Sequence, residues 1–191
     1  MILTLAQLQR IMPASTRASL FLEPLNAAMQ EFGIDTRLRI AAFLSQIGHE
    51  SGQFRFMEEL ASGAAYDNRA DLGNTNPEAI RIAAAHGTTP GRFWKGHGPI
   101  QITGYLNHLA AMMALHVDCV EQPSLLCEPV HGCRAAGWFW SVNGLAKWAD
   151  AGDIDGVSDV VNRGKKTAAI GDANGFAERK VLFDRALKVI P

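Results

Sequence analysis

The chain has 191 residues, 48% hydrophobic and 19% charged, enough to bury a substantial core in a unit the size of one domain. Eighteen Lys and Arg nearly balance nineteen Asp and Glu, for a formal net charge of −1. That balance excludes general electrostatic attraction to nucleic acid or to an anionic membrane surface.

In chain order, the opening stretch MILTLAQLQRIMPAS is apolar but has no charged segment ahead of a long hydrophobic run. Nothing approaches the ~18 uninterrupted apolar residues of a membrane span. Synthesis in the cytosol is therefore expected, with no secretion signal, and residues 1–12 are expected to pack on the domain as an amphipathic segment. Leu22, Leu25, Met29 and Phe32 then recur at helical spacing before Gly33, with Pro24 near the start of that helix or bending it. The next helix is predicted to begin at Asp35 as its cap, to carry Ile40, Phe43, Leu44 and Ile47 on one face, and to end around His49 to Gly52.

From Ser62 to Gly104 the chain is polar and glycine-rich, broken by a helix predicted over Pro77 to Ala85 behind Asn76. An irregular region of that length in a compact domain usually builds a site. Helical spacing returns after Thr103 (Leu106, Leu109, Met113) and after Pro129 (Val130, Cys133, Gly137, Trp140). Shorter helices are predicted over Leu145 to Ala151 and Ile154 to Val161, and an amphipathic one from about Asn174 to Val189. With no strand pattern, repeat or linker, the chain reads as one all-α domain over residues 1–191. Cys119, Cys127 and Cys133 are an odd set without Cys-x-x-Cys spacing and read as buried free thiols.

The helical phase that buries Ile47 also turns Glu50 toward the interior or the rim of a cleft. Partial desolvation and the negative end of the helix dipole both disfavour its ionisation, which suits a general acid. The plainer reading pairs Glu50 with Arg55 or a backbone amide. A two-carboxylate hydrolase needs a second acid, and Glu58 and Glu59 are near in sequence. On a straight helix Glu59 would lie ~13 Å further along the axis and on the wrong face. Gly52 supplies the break that could fold the segment back. The residues alone leave the choice between Glu58 and Glu59 open. His49-Glu50 shares its first two residues with the zinc-protease His-Glu-x-x-His signature, but Gln53 stands where the second histidine belongs; neither metal nor cofactor is expected. The remaining histidines have no tight ligand spacing.

Residues 91–108, GRFWKGHGPIQITGYLNH, join aromatic residues and four glycines to the amide of Gln101 and the hydroxyl of Thr103. Sugars are bound by such sets, apolar faces on rings and hydroxyls on amides. The alternative makes Thr103 an N-cap and Phe93 and Trp94 core residues.

Taken in order, His49-Glu50-Ser51-Gly52, Glu58-Glu59, GHGPIQITGYLNH, AAGWFWSVNGL and VNRG resemble glycoside hydrolase family 19, the chitinase group, and within it the short phage-type branch of lysozyme-like endolysins. The resemblance spans roughly residues 5–188. It implies a lysozyme-like, two-lobed helical fold with a central substrate cleft. It also implies Glu50 as general acid, Glu59 as general base and Thr103 holding the attacking water. Gln101, Asn107 and Asn162 would line sugar subsites, with His49 and Tyr105 counted among the substrate-binding residues. Arg179 would organise the carboxylates. Two positions depart from the family pattern: His97 stands where arginine is usual in Gly-Arg-Gly-Pro, and Arg163 replaces the first glycine of Asn-Gly-Gly. The implied activity is hydrolysis of β-1,4 bonds in peptidoglycan glycan strands, with chitin as a further substrate, by a monomer. It would bind no nucleic acid, insert stably in no membrane, be made in the bacterial host cytoplasm and act on the cell wall. The rivals are a lytic transglycosylase and a non-catalytic wall-binding domain of the same fold.

Overall fold

A computed structural model describes residues 2–191; Met1, the first residue of the N-terminal amphipathic segment, lies outside the described residues. Ten α-helices occur among the described residues: α1 (Leu5–Ile11), α2 (Ala18–Glu31), α3 (Arg37–Glu50), α4 (Pro77–Ala85), α5 (Pro90–Phe93), α6 (Tyr105–Leu115), α7 (Pro129–Val142), α8 (Leu145–Asp150), α9 (Ile154–Arg163) and α10 (Phe176–Val189). Three 3-10 turns, Ala64–Tyr66, Ala70–Leu72 and Pro123–Cys127, complete the set. No sheet forms among these residues. Extended pairing is confined to two isolated antiparallel bridges, Glu58 with His97 and His97 with Ile102.

Two apolar clusters define two lobes. The larger one gathers Phe21, Leu25 and Met29 of α2, Ile40, Phe43 and Ile47 of α3, Trp140 of α7, Val157 of α9 and Phe183 of α10. The smaller joins Ile82 of α4, Trp94 and Tyr105 of α6. In the large lobe α3 packs chiefly on α10, and α2 on α7. The fold is therefore all-α and two-lobed, with α3 running through the large lobe and delivering Glu50 at its end.

The N-terminal segment is docked. Asn26 of α2 accepts hydrogen bonds from the Ile2 and Leu3 amides through its Oδ1 (3.0 and 2.8 Å) and donates to the Leu3 carbonyl. Leu3, Leu8, Ile11 and Met12 are buried. Thr4 and Gln7 form a capping box on α1. No helix among the described residues is long and apolar enough to cross a membrane.

Several sequence expectations are corrected in detail. Pro24 sits inside α2, so of the two places expected for it the one near the helix start is not taken. The cap of α3 is Thr36, whose hydroxyl accepts the Arg39 amide at 3.2 Å, and not Asp35, which is left to a loose pairing with Arg39 at 3.7 Å. The cap of α6 is Gly104, not Thr103. The last helix starts at Phe176 rather than near Asn174. Short α5 and the 3-10 turns carry too few residues for a periodic signal. Cys119 and Cys133 are buried free thiols, but Cys127 is only partly covered, with its Sγ donating to the Met57 carbonyl.

Two features of the small lobe are set by close approach. Gly91 of α5 lies under the turn before it: a Cβ there would stand 2.5 Å from the Asp67 amide nitrogen and 2.6 Å from the Gly63 carbonyl oxygen. Those are backbone atoms, which cannot swing aside. Behind the loop, the buried rings of His97 and His108 meet edge to face, with Nε2 of His108 3.3 Å from Nδ1 of His97. Burial pushes His97 down to about 4 and His108 down to about 3. Both are therefore neutral near pH 7.

Gly91→Ala is expected to destabilise the protein by about 1–3 kcal/mol through overpacking, read as a lowered thermal midpoint; an unchanged midpoint would show that the turn yields freely. The histidine pair makes stability pH-dependent. In the unfolded chain both rings titrate near 6.5, so between about pH 6.5 and about pH 4 the unfolded chain holds more protons than the folded one. Stability is full above that window and falls as pH is lowered through it. His108→Gln should flatten the decline in thermal midpoint, and parallel curves for variant and parent would refute the assignment.

Candidate active site

The chain between Glu50 and Glu59 reverses through more than the glycine break. Gly52, Gln53 and Phe54 all have positive φ, +55°, +62° and +64°. Glycine takes this conformation freely, but the other two residues each carry a cost of roughly 1–2 kcal/mol. Neighbouring contacts hold them there. Ser51 Oγ donates to the Ile47 carbonyl and accepts the Phe54 amide (2.6 and 2.8 Å), and the Gln53 amide bonds the Gly48 carbonyl at 2.7 Å. The Phe54 ring is buried and stacks on Phe21 of α2 with centroids 4.5 Å apart. The chain thus leaves the large lobe in a fixed direction.

Beyond the turn, residues 58 and 59 run extended against the loop at 96–98. The Glu59 amide donates to the Gly96 carbonyl at 2.8 Å, and Glu58 bridges His97. Neighbouring side chains on extended backbone point to opposite sides. Glu58 turns outward, half exposed, and pairs with Lys95 at 2.8 Å, an ammonium contact that holds its carboxyl below the usual range. Glu59 turns inward. Its Oε1 accepts the Tyr66 hydroxyl and its Oε2 accepts the Gly96 amide, both at 3.0 Å. Burial first, and the contact with Glu59 second, push the Tyr66 phenol above its ordinary value, so it remains a donor.

Glu50 and Glu59 line the same cleft, of about 730 Å³, between the lobes. Glu50 is not paired with Arg55, whose Nε donates to the Gly52 carbonyl. Its Oε1 accepts instead from Nη2 of Arg179 at 2.5 Å. Arg179 is 1% exposed, held by Gln46 Oε1 (2.6 Å) and the Asn174 carbonyl (3.0 Å). Gln46 in turn donates to Ser158 of α9 and Ser45.

Of the other predicted residues, Gln101, Thr103, Asn107 and Asn162 line the cleft. The Thr103 hydroxyl donates to the Gln101 carbonyl at 3.0 Å, which leaves its lone pairs able to accept; Asn107 Nδ2 donates to the Thr103 carbonyl at 2.7 Å. Asn162 Oδ1 accepts the Asn174 amide at 3.0 Å.

Three predicted substrate-side residues are not in the lining. Tyr105 is buried edge to face against Trp94, a core position. His49 bonds Glu178 of α10 through Nδ1 at 2.9 Å. Arg179 lies behind Glu50. The aromatic residues of the 91–108 loop do not face the cleft either: Trp94 is fully buried, with Nε1 donating to the Val120 carbonyl, and Phe93 stacks on His86. His97 is buried behind the loop, whereas Arg163 reaches the lining.

Sequence pattern misses Tyr66, Arg69, Asp71, Phe139 and Asn143, which also line the cleft. Arg69 and Asp71 form a two-pronged ion pair at 2.7 and 2.6 Å. Tyr66, Arg69 and Asp71 lie in short turns and Phe139 and Asn143 at the end of α7, where periodicity carries no information about what faces them across the cleft.

With this geometry, the chain is similar to known glycan-cleaving proteins. An endochitinase of Arabidopsis thaliana is 34% identical over 122 residues, 61% of this chain and 38% of that protein. Another Arabidopsis endochitinase is 27% identical over 144 residues, 74% of this chain and 50% of its own length. The chain therefore spans half or less of the length of these relatives. Among solved structures, chitinase C from Streptomyces griseus HUT6037 superposes with a TM-score of 0.75 at 20% identity, covering 99% of this chain and 76% of that one. A class IV chitinase from Zea mays gives 0.62 at 20% identity over 92% of this chain and 81% of its own. These two likenesses carry the fold. The sequence family described as chitinase class I matches residues 27–172, most of the chain, and the protein belongs to that family, glycoside hydrolase family 19.

Proposed function

We propose that this protein hydrolyses β-1,4 bonds between amino sugars by inversion in one step, with Glu50 as general acid and Glu59 as general base. One observation carries the reading: two carboxylates, one ending α3 and one on the extended segment beyond the turn, line one cleft, each held by partners of a different kind. Glu50 delivers a proton to the departing glycosidic oxygen and is left as a carboxylate against the Arg179 guanidinium, which stabilises the charge it acquires. Glu59 has one hydrogen bond on each oxygen and two lone-pair sites left, so it can take a proton from water while Tyr66 and the Gly96 amide fix its orientation. The Thr103 hydroxyl accepts from the same water, while Gln101, Asn107 and Asn162 meet the acetamido and hydroxyl groups of the sugars.

Peptidoglycan is the proposed substrate, on the resemblance to the phage-type branch, with the enzyme made in the host cytoplasm and acting at the wall. Chitin as the main substrate is the second reading, favoured by relatives that are named chitinases. A lytic transglycosylase needs no attacking water and leaves Glu59 without a task. A wall-binding domain without turnover leaves both carboxylates without one.

Reducing-end release from peptidoglycan and chitin side by side, with product anomers followed by NMR, tests the proposal. The first product should be the α-anomer; an anhydro-sugar or a retained β-anomer would overturn the mechanism. Glu50→Gln and Glu59→Gln should each lower kcat at least about a hundredfold with the fold intact by circular dichroism. Near-normal turnover by either would sink its role. Tyr66→Phe removes one donor to a charged group and should lower kcat about tenfold with little change in KM; a KM effect alone would make Tyr66 a sugar contact.

A further inference from the structure

A second groove, of about 460 Å³, opens beside the catalytic cleft, and Glu59 lines both. Its other walls include Arg55, Phe56, Leu60, Lys95 and Cys127. Phe56 and Leu60 are 41% and 79% exposed, apolar side chains shown to solvent next to a proposed catalytic base. Phe56 is pinned by the strained turn: its amide bonds the Ser51 carbonyl at 2.9 Å, and its ring lies against Gly52, where a Cβ would come within 2.8 Å of it. The Arg55 guanidinium lies over the same ring, 5.4 Å from its centroid. Arg55 has no carboxylate partner among the described residues; its one side-chain bond is from Nε to the Gly52 carbonyl. Lys95, in contrast, is neutralised by Glu58.

We propose that this groove takes the peptide stem of a peptidoglycan strand, with Arg55 pairing a stem carboxylate and Phe56 and Leu60 covering the stem's aliphatic parts. The proposal rests on the peptidoglycan reading above and deepens it. Continuity argues for a branch of the substrate: a polymer threaded past Glu59 carries its side groups into whatever opens beside Glu59. Charge argues for which branch. Chitin is uncharged and unbranched, whereas each muramic sugar bears a short peptide with free carboxylates. A guanidinium without a carboxylate partner, on an apolar floor, complements the charge of the second, which the first lacks.

The test compares the parent enzyme with Arg55→Gln, Leu60→Ser and Phe56→Ala on three substrates: peptide-bearing glycan strands, the same strands stripped of stems by an amidase, and chitin oligosaccharides. Arg55 and Leu60 are exposed, so their variants keep the fold even if Phe56→Ala disturbs the turn; circular dichroism checks each. Arg55→Gln should lower kcat/KM on peptide-bearing strands about tenfold and leave stripped strands and chitin unchanged, with Leu60→Ser acting in the same sense. Equal loss on all three substrates would make the groove a sugar subsite, and no loss on any would make it idle; either overturns the proposal. A parent enzyme that cuts chitin but neither form of peptidoglycan would overturn the substrate reading itself, an outcome visible before any variant is made.

Discussion

The site depends on the reversal at residues 51–54. One continuous helix would carry Glu50 and Glu59 apart along its axis, and a flexible loop would leave their relation undefined. Three successive residues with positive φ send the chain back sharply. Two of them are not glycine, so the conformation persists only because other contacts over-determine it. Ser51 bonds on both sides of the turn, and Phe54 is committed to the core by its stack on Phe21. Strain of a few kcal/mol placed between the two carboxylates is thus offset by burial in the large lobe.

The carboxylates are held in chemically different ways. Glu50 is backed by a buried cation, Arg179, whose remaining donors are fixed by Gln46 and a backbone carbonyl. Glu59 is held by neutral donors only, a phenol and an amide. A group that must finish its step ionised benefits from a cation at hand, provided that the cation is itself held and cannot follow the departing proton. A group that must gain a proton is better served by donors that orient it without fixing its charge. The two environments come from different elements: α3 and α10 supply one, and Tyr66 with the 96–98 loop supplies the other.

Much of the large lobe was legible in the sequence because its helices have wide apolar faces. Ile40, Phe43 and Ile47 phase Glu50 toward the cleft, and Pro77 behind Asn76 marks α4 to the residue. The small lobe was legible only in outline. Its turns of three residues follow no period, and the aromatic residues that look like sugar platforms, Phe93 and Trp94, are the lobe's own core, since so small a cluster needs large side chains to fill it. Tyr105 went the same way. Glu58 and Glu59 could not be separated by helical reasoning, because the segment is extended; its pairing with residues 96–98 is what sends them to opposite sides. Tyr66 and Arg179 illustrate a further limit: each acts on a residue distant in the chain, and only the tertiary fold brings them together.

Inversion requires room for a water between acid and base, a separation of roughly 6.5–9.5 Å. Here the carboxylates sit on different elements, the end of α3 and the extended segment at 58–59, so that gap is a property of how the chain packs rather than of any one element. The turn at 51–54 fixes one connection between them, and the bridge from residues 58–59 to the 96–98 loop fixes where the second carboxylate rides. Between these anchors lie Arg55 to Met57, the only covalent path from one acid to the other, and on it sit the residues that form the second groove. The groove and the cleft thus share Glu59 in their walls.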